Sequence, residues 1–269
     1  MITTILNVYN RPHLIEQQIE AIQKQTIESD IWVWVNQSEK NRDFDFSKLT
    51  CRVVHSNHNF KFHGRFALGL LAQTEFVAFF DDDTIPGHRW FENCLNTIKD
   101  GEDGILGSAG ILLNQGDYQN HTKIGHNGGG NEKVIQVDLV GHSWFLKKDY
   151  LRYLWYDEPH SWDNGEDMQL SFQAQKFGSI KTYVPRHPLS DLSLWGSLPE
   201  LYHGDDENAS FKVLKSHQSV RDDIVSYQLA NGWIPARGRK HLRINDTKNY
   251  LRLNHPSFFA KLQSLKGKI

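Results

Sequence analysis

An α/β fold with a mostly parallel central sheet flanked by helices follows from two observations on the 269-residue chain. Short apolar, β-branched runs alternate with stretches of helical periodicity through the first half. The intervening segments are also long enough to carry the chain back across a sheet between parallel strands. Ile2–Val8 (ITTILNV) opens as a strand, which Tyr9-Asn10-Arg11-Pro12 breaks. Pro12 suits the first turn of a helix, and Leu14, Ile15, Ile19 and Ile22 extend its stripe to about Gln25. Ile31–Val35 and Cys51–His55 read as the second and third strands, and Gly64–Ala72 as a helix. Glu75–Phe80 reads as a fourth strand that runs directly into Asp81-Asp82-Asp83. The second half is mixed. Gly104–Leu113, Ile135–Leu139 and Gly141–Leu146 read as strands, and Glu166–Phe177 and Val220–Ala230 as helices.

Composition narrows the function. Hydrophobic residues make up 39% of the chain, and no apolar run approaches the roughly 20 residues that a membrane span needs. Two cysteines, Cys51 and Cys94, cannot build a disulfide framework or a CxxC-type metal site. With no signal-like N-terminus read, a cytoplasmic location is the expectation. The formal net charge of -2 conceals an asymmetry, because residues 212–269 carry 12 basic and 3 acidic side chains. The expected organisation is one catalytic domain over residues 1–236. A basic appendix over 237–269 would pack on that domain, or dock peripherally on a membrane or partner.

The sharpest chemical signal is the acidic triplet. Three adjacent carboxylates repel one another, and a divalent cation relieves that repulsion. Hard oxygen ligands suit Mn²⁺ or Mg²⁺. In open parallel sheets, ligands bind beyond the carboxyl ends of the strands, where this triplet lies. Alone, it also reads as a solvated turn capped by Thr84. A second signal is Asn164-Gly165-Glu166-Asp167 at the head of a helix. Its carboxylates could simply cap that helix, or one could act as a general base beside a metal–phosphate site.

Taken in order, these motifs resemble the nucleotide-sugar-dependent glycosyltransferases of the GT-A fold, which is Rossmann-like. The motifs are Tyr9-Asn10-Arg11-Pro12, Gly64-Arg65-Phe66, Asp81-Asp82-Asp83-Thr84, Gly165-Glu166-Asp167, and Arg221 ahead of Tyr227, Gly232, Trp233 and Pro235. Among such enzymes the chain is most similar to the exostosin-type C-terminal transferase domain, although Gly165 stands where that group has cysteine. The resemblance covers residues 2 to 236. It implies transfer of a sugar from a nucleoside-diphosphate donor, UDP-linked, to a glycan acceptor, with retention of configuration and a Mn²⁺ or Mg²⁺ cofactor.

In that scheme Asp83 holds the metal, Asp81 faces the ribose, and Asp82 orients the ribose or the metal shell. Asn10, Arg11 and Asn36 hold the base. Arg65 meets the phosphates or the sugar, and His187 completes the metal shell. Glu166, Asp167 and Arg221 form the catalytic group. The alternative is an inverting GT-A transferase with Asp167 as general base. Trp144, Trp162 and Trp195 are read as core residues or, for Trp162, as an acceptor platform. His58, His63, His126 and His203 are weaker metal candidates. The loops Gly125–Asn131 and His203–Asn208 stay unassigned.

Two other classes share parts of this pattern. A nucleotidyltransferase would carry a glycine-rich phosphate loop after the first strand, and this chain has none there. A nucleic-acid or glycan-binding module could be built on the basic, aromatic C-terminal segment. The acidic clusters upstream would repel a polyanion, so no nucleic-acid partner is expected.

Overall fold

The computed structural model describes residues 1–114, 117–202 and 217–236. The basic appendix and the loop His203–Asn208 lie outside the described residues.

Four strands, β1 (Ile2–Val8), β2 (Ser29–Val35), β3 (Arg52–His55) and β4 (Phe76–Phe80), form a parallel half-sheet in the order β3-β2-β1-β4. Every residue of β4 is buried, which a strand covered on both faces requires. A 3₁₀ turn at Pro12–Leu14 leads into α1 (Ile15–Gln23), which buries Ile15, Ile19 and Ile22. The helix α2 (Gly64–Gly69) and α3 (Trp90–Lys99) complete this half. Both glycines of α2 are needed for close approach. A Cβ on Gly64 would meet Trp34 at 2.8 Å, and one on Gly69 would meet Phe79 at 2.5 Å. The sequence reading overlooked α3, whose polar positions interrupt its apolar stripe.

The second half of the sheet is mixed, as expected. It holds β5 (Gly104–Leu113), β6 (His121–Gly125), β7 (Ile135–Val137), β8 (Leu139–Lys147) and β9 (Lys181–Val184). β8 inserts antiparallel between β4 and β5, β9 runs parallel to β5, and β7 pairs antiparallel with β9. The run read as one strand over Ile135–Leu139 is therefore split between two strands with different partners. β6, unread in the sequence, pairs with β5. Two helices, α4 (Glu166–Gly178) and α5 (His217–Ala230), pack on the sheet around an apolar cluster of Leu113, Leu139, Met168, Phe172, Ile224, Val225 and Trp233. Among the described residues, no helix is long and apolar enough to cross a membrane.

Candidate functional site

β4 delivers the acidic triplet at the carboxyl end of the parallel half-sheet. α1 then clamps the turn, because Gln18 donates to the carbonyls of Asp81 (2.7 Å) and Thr84 (3.0 Å). Asp82 is buried and accepts from the Asn10 backbone N–H (3.0 Å) and from Arg11 (2.6 Å). The same Arg11 nitrogen lies 3.5 Å from Asp83. Burial pushes the Asp83 carboxyl up to about 7, and repulsion by Asp81 and Asp82 adds to this against the opposing charge of Arg11. Arg11 therefore does not balance the triplet, and the second guanidinium there, Arg65 on Asp81, is shared with Glu166.

His142, on β8, completes the cluster. The Asp81 N–H donates to the His142 carbonyl (3.0 Å), a sheet-like bond that fixes the two residues side by side. His142 adopts φ 64°, a left-handed conformation that tends to be retained where it serves a site. Its ring packs against Tyr202 and His126, and its Nε2 lies 2.9 Å from the Asn127 amide. One ligand atom each from Asp81, Asp83 and His142 lies within 4.8 Å of the others. Opposed ligands of an octahedral Mg²⁺-sized ion stand about 4.2 Å apart, twice the 2.1 Å bond, so small side-chain adjustments suffice. Two carboxylates and an imidazole also suit Mn²⁺ better than Ca²⁺. The excess negative charge and the donor set both fit a divalent cation.

His187, expected as the histidine of that shell, is corrected. It is fully buried between Trp90 and Trp195, with both ring nitrogens engaged. Nδ1 bonds the Pro185 carbonyl at 2.8 Å, and Nε2 accepts from the Gly196 N–H at 3.2 Å. With no nitrogen left to offer, His187 is a packing residue. It also anchors Asn131 by a two-way backbone bridge, which fixes the end of the Gly125–Asn131 loop. The described part of the loop after β9 likewise builds core, through Leu194, Trp195 and Ser197.

The opposite wall of the site comes from the head of α4. Gly165 holds φ 90° and ψ 21°, and a Cβ there would collide with Ile224 Cδ1. The cysteine of the exostosin-type motif does not fit this backbone and packing. Glu166 and Asp167 follow, both buried. Arg65 spans the two walls, pairing with Asp81 through Nη1 and with Glu166 through Nη2 (3.1 Å). Its guanidinium is 2% exposed and lies 4.6 Å from the Trp144 ring centroid. From α5, Arg221 donates to Asp167 (2.6 Å) and Asn164 (3.1 Å) and lies over Tyr118. Burial pushes Glu166 up to about 7, with Asp167 adding to the rise and Arg65 resisting it.

Three ion-pair groups, Arg11 with Asp82 and Asp83, Arg65 with Asp81 and Glu166, and Arg221 with Asp167, thus follow one another across the mouth of the sheet, joined through neighbouring residues of the chain. Asn10 joins through its backbone. Asn36 does not. Its amide accepts from Phe60 N–H (2.9 Å) and donates to Asn59 (3.0 Å) and the Lys61 carbonyl (3.1 Å), so it pins the loop before α2. Trp144 and Trp195 are core, whereas Trp162 is 52% exposed. The sequence reading missed His142 because only strand register brings it to Asp81.

No curated protein matches the chain. The profile of glycosyl transferase family 2 matches residues 3–155, more than half of the chain. The matched stretch includes the parallel half-sheet, the acidic turn, Arg65 and His142. A sheet, turn and site of this form, with that match, make the chain a member of glycosyl transferase family 2, a glycosyltransferase of the GT-A fold.

Proposed function

We propose that this glycosyltransferase is metal-dependent and takes a nucleoside-diphosphate sugar, UDP-linked, as donor for a glycan acceptor. The observation that carries the reading is the Asp81–Asp83–His142 cluster, short of positive charge and tied through Arg65 to the Glu166–Asp167 wall. Asp81, Asp83 and His142 would hold Mn²⁺ or Mg²⁺, which supplies the positive charge that a departing diphosphate needs. Asp82 and Arg11 keep the acidic turn in place, so Arg11 acts first on the protein and only secondarily on a nucleotide base. Arg65, buried and always charged, orients Asp81 and Glu166 relative to each other.

Asp167 is the residue we place at the reacting centre, held by Arg221 and by its own helix, where Met168 N–H donates to it (2.8 Å). The exostosin-type likeness favours retention. One observation favours a second reading, inversion by direct attack of the acceptor. In that reading Asp167 would be the general base, its carboxylate oriented by Arg221 and by the Met168 N–H. The anomeric proton signal of the product separates the two outcomes. Peripheral contact through residues 237–269 stays a proposal resting on charge alone.

The test is a thermal-shift panel of UDP, GDP, UDP-sugars and GDP-mannose, each with Mn²⁺ or with chelator. Stabilisation by UDP and UDP-sugars only with metal supports the reading. Equal stabilisation in chelator removes the metal from it. Asp167→Asn is expected to abolish transfer while leaving nucleotide binding intact.

A further inference from the structure

His63 stands just before α2, two residues from Arg65. It is 4% exposed, yet neither Nδ1 nor Nε2 has a hydrogen-bond partner among the described residues. A neutral imidazole carries one N–H to give and one lone pair to receive, so both capacities go unmet inside the protein. Folded chains rarely leave such groups unsatisfied without a reason. The same chain supplies the contrast, since His187, also buried, uses both nitrogens. His63 makes no capping bond to α2 either.

Its surroundings point to a ligand. The ring lies between Trp155 (6.1 Å between centroids) and Trp162 (5.1 Å). Trp162 is half exposed and sits on the loop that leads to Glu166 and Asp167. An exposed ion pair, Lys61–Asp163 (3.3 Å), joins the segment before His63 to that loop. Burial and the nearby charge of Arg65 push the imidazole down to about 4, with Asp167 opposing, so the ring is neutral at physiological pH. A neutral imidazole has no charge to grip a phosphate. It does match a hydroxyl, which both gives and accepts hydrogen bonds, and aromatic faces like that of Trp162 stack on sugar rings.

We propose that His63 is a positioning residue for the transferred sugar: Trp162 shifts off the imidazole as the donor enters, and a ring nitrogen takes a sugar hydroxyl beside Asp167. This rests on the nucleotide-sugar reading above. The nucleotide and metal are held elsewhere, so His63 acts on the sugar and not on the diphosphate.

The experiment uses the full-length chain and its His63→Leu and His63→Gln variants with Mn²⁺. Calorimetry compares UDP with UDP-glucose, UDP-galactose and UDP-N-acetylglucosamine, and GDP with GDP-mannose. Release of nucleotide from the best donor gives KM and kcat. His63→Leu is expected to melt at or above the parent temperature, because it removes two unmet polar atoms. It should bind the bare nucleotide within twofold of the parent and lose at least tenfold in kcat/KM for the sugar nucleotide. His63→Gln, which keeps a donor and an acceptor, should recover most of that loss. The proposal is overturned if His63→Leu keeps kcat/KM within threefold of the parent. It is also overturned if both variants melt lower and lose bare-nucleotide affinity equally, which marks a purely structural residue. Failure of every nucleotide to bind the parent with Mn²⁺ is a separate result: it removes the donor reading, and this proposal with it.

Discussion

Replacing Arg65 with methionine isolates the contact that joins the two walls of the site. Methionine keeps much of the apolar stem packed near Trp144 but leaves Asp81 and Glu166 without their shared cation. Breaking a buried pair costs about 3–5 kcal/mol, because an uncompensated charge stays behind. For a chain of this size that corresponds to a melting temperature lower by about 6–20 °C. The loss is expected to depend on pH. Glu166 already titrates near 7 with Arg65 beside it, and without Arg65 it takes a proton still more readily. The deficit should therefore be largest at pH 8 and shrink at pH 5.5, where the neutral carboxyl no longer needs a partner. Urea unfolding followed by circular dichroism at both pH values measures it. Adding Glu166→Gln to the variant should recover part of the loss at pH 8. A single variant within about 1 kcal/mol of the parent at both pH values would refute the idea that Arg65 bridges the walls in the folded protein.

Four further outcomes are expected. Asp83 and Glu166 both hold their protons more tightly when folded than their ordinary values of 3.8 and 4.5 allow, so in metal-free protein their contribution to stability is fully present only below those values and is lost as pH rises through about 7. Mn²⁺ binding should consequently release protons below pH 7, read by calorimetry in buffers of different ionisation enthalpy, and weaken about tenfold per pH unit as pH falls. His142→Ala should lower Mn²⁺ affinity at least tenfold with little change in melting temperature, whereas His187→Ala should do the reverse. Gly165→Ala should cost about 1–2 kcal/mol for its left-handed backbone, plus the displacement of Ile224, and should lower turnover by tilting Glu166 and Asp167.

The parallel half of the sheet was legible because its signals are local. Ile2–Val8, Ile31–Val35 and Glu75–Phe80 are continuous apolar runs, and the acidic triplet follows directly on the last of them. The same locality explains what escaped. His142 sits opposite the triplet only because β8 pairs antiparallel with β4 in one particular register, which no neighbouring residue announces. His187 was expected at the metal because the resemblance implies a late histidine in the metal shell, and Pro185-Arg186-His187-Pro188 follows a strand-like run. Trp90 and Trp195, remote from it or on a separate turn, enclose it. Asn36 reads as a strand-end ligand, yet the loop that consumes its amide returns only after β3. Arg11 reads as a contact to the nucleotide base and Arg65 as one to the phosphates or the sugar, whereas their carboxylate partners come from other elements of the fold.

Because the Asp81 amide bonds the His142 carbonyl, the imidazole and the carboxylates converge only once two distant stretches of chain have zipped together. A chain ending before β8 would carry the whole acidic triplet and still lack the imidazole. If the cluster takes a cation as proposed, its uptake during refolding would double as a clock, marking the moment when the parallel and mixed halves of the sheet become one continuous surface.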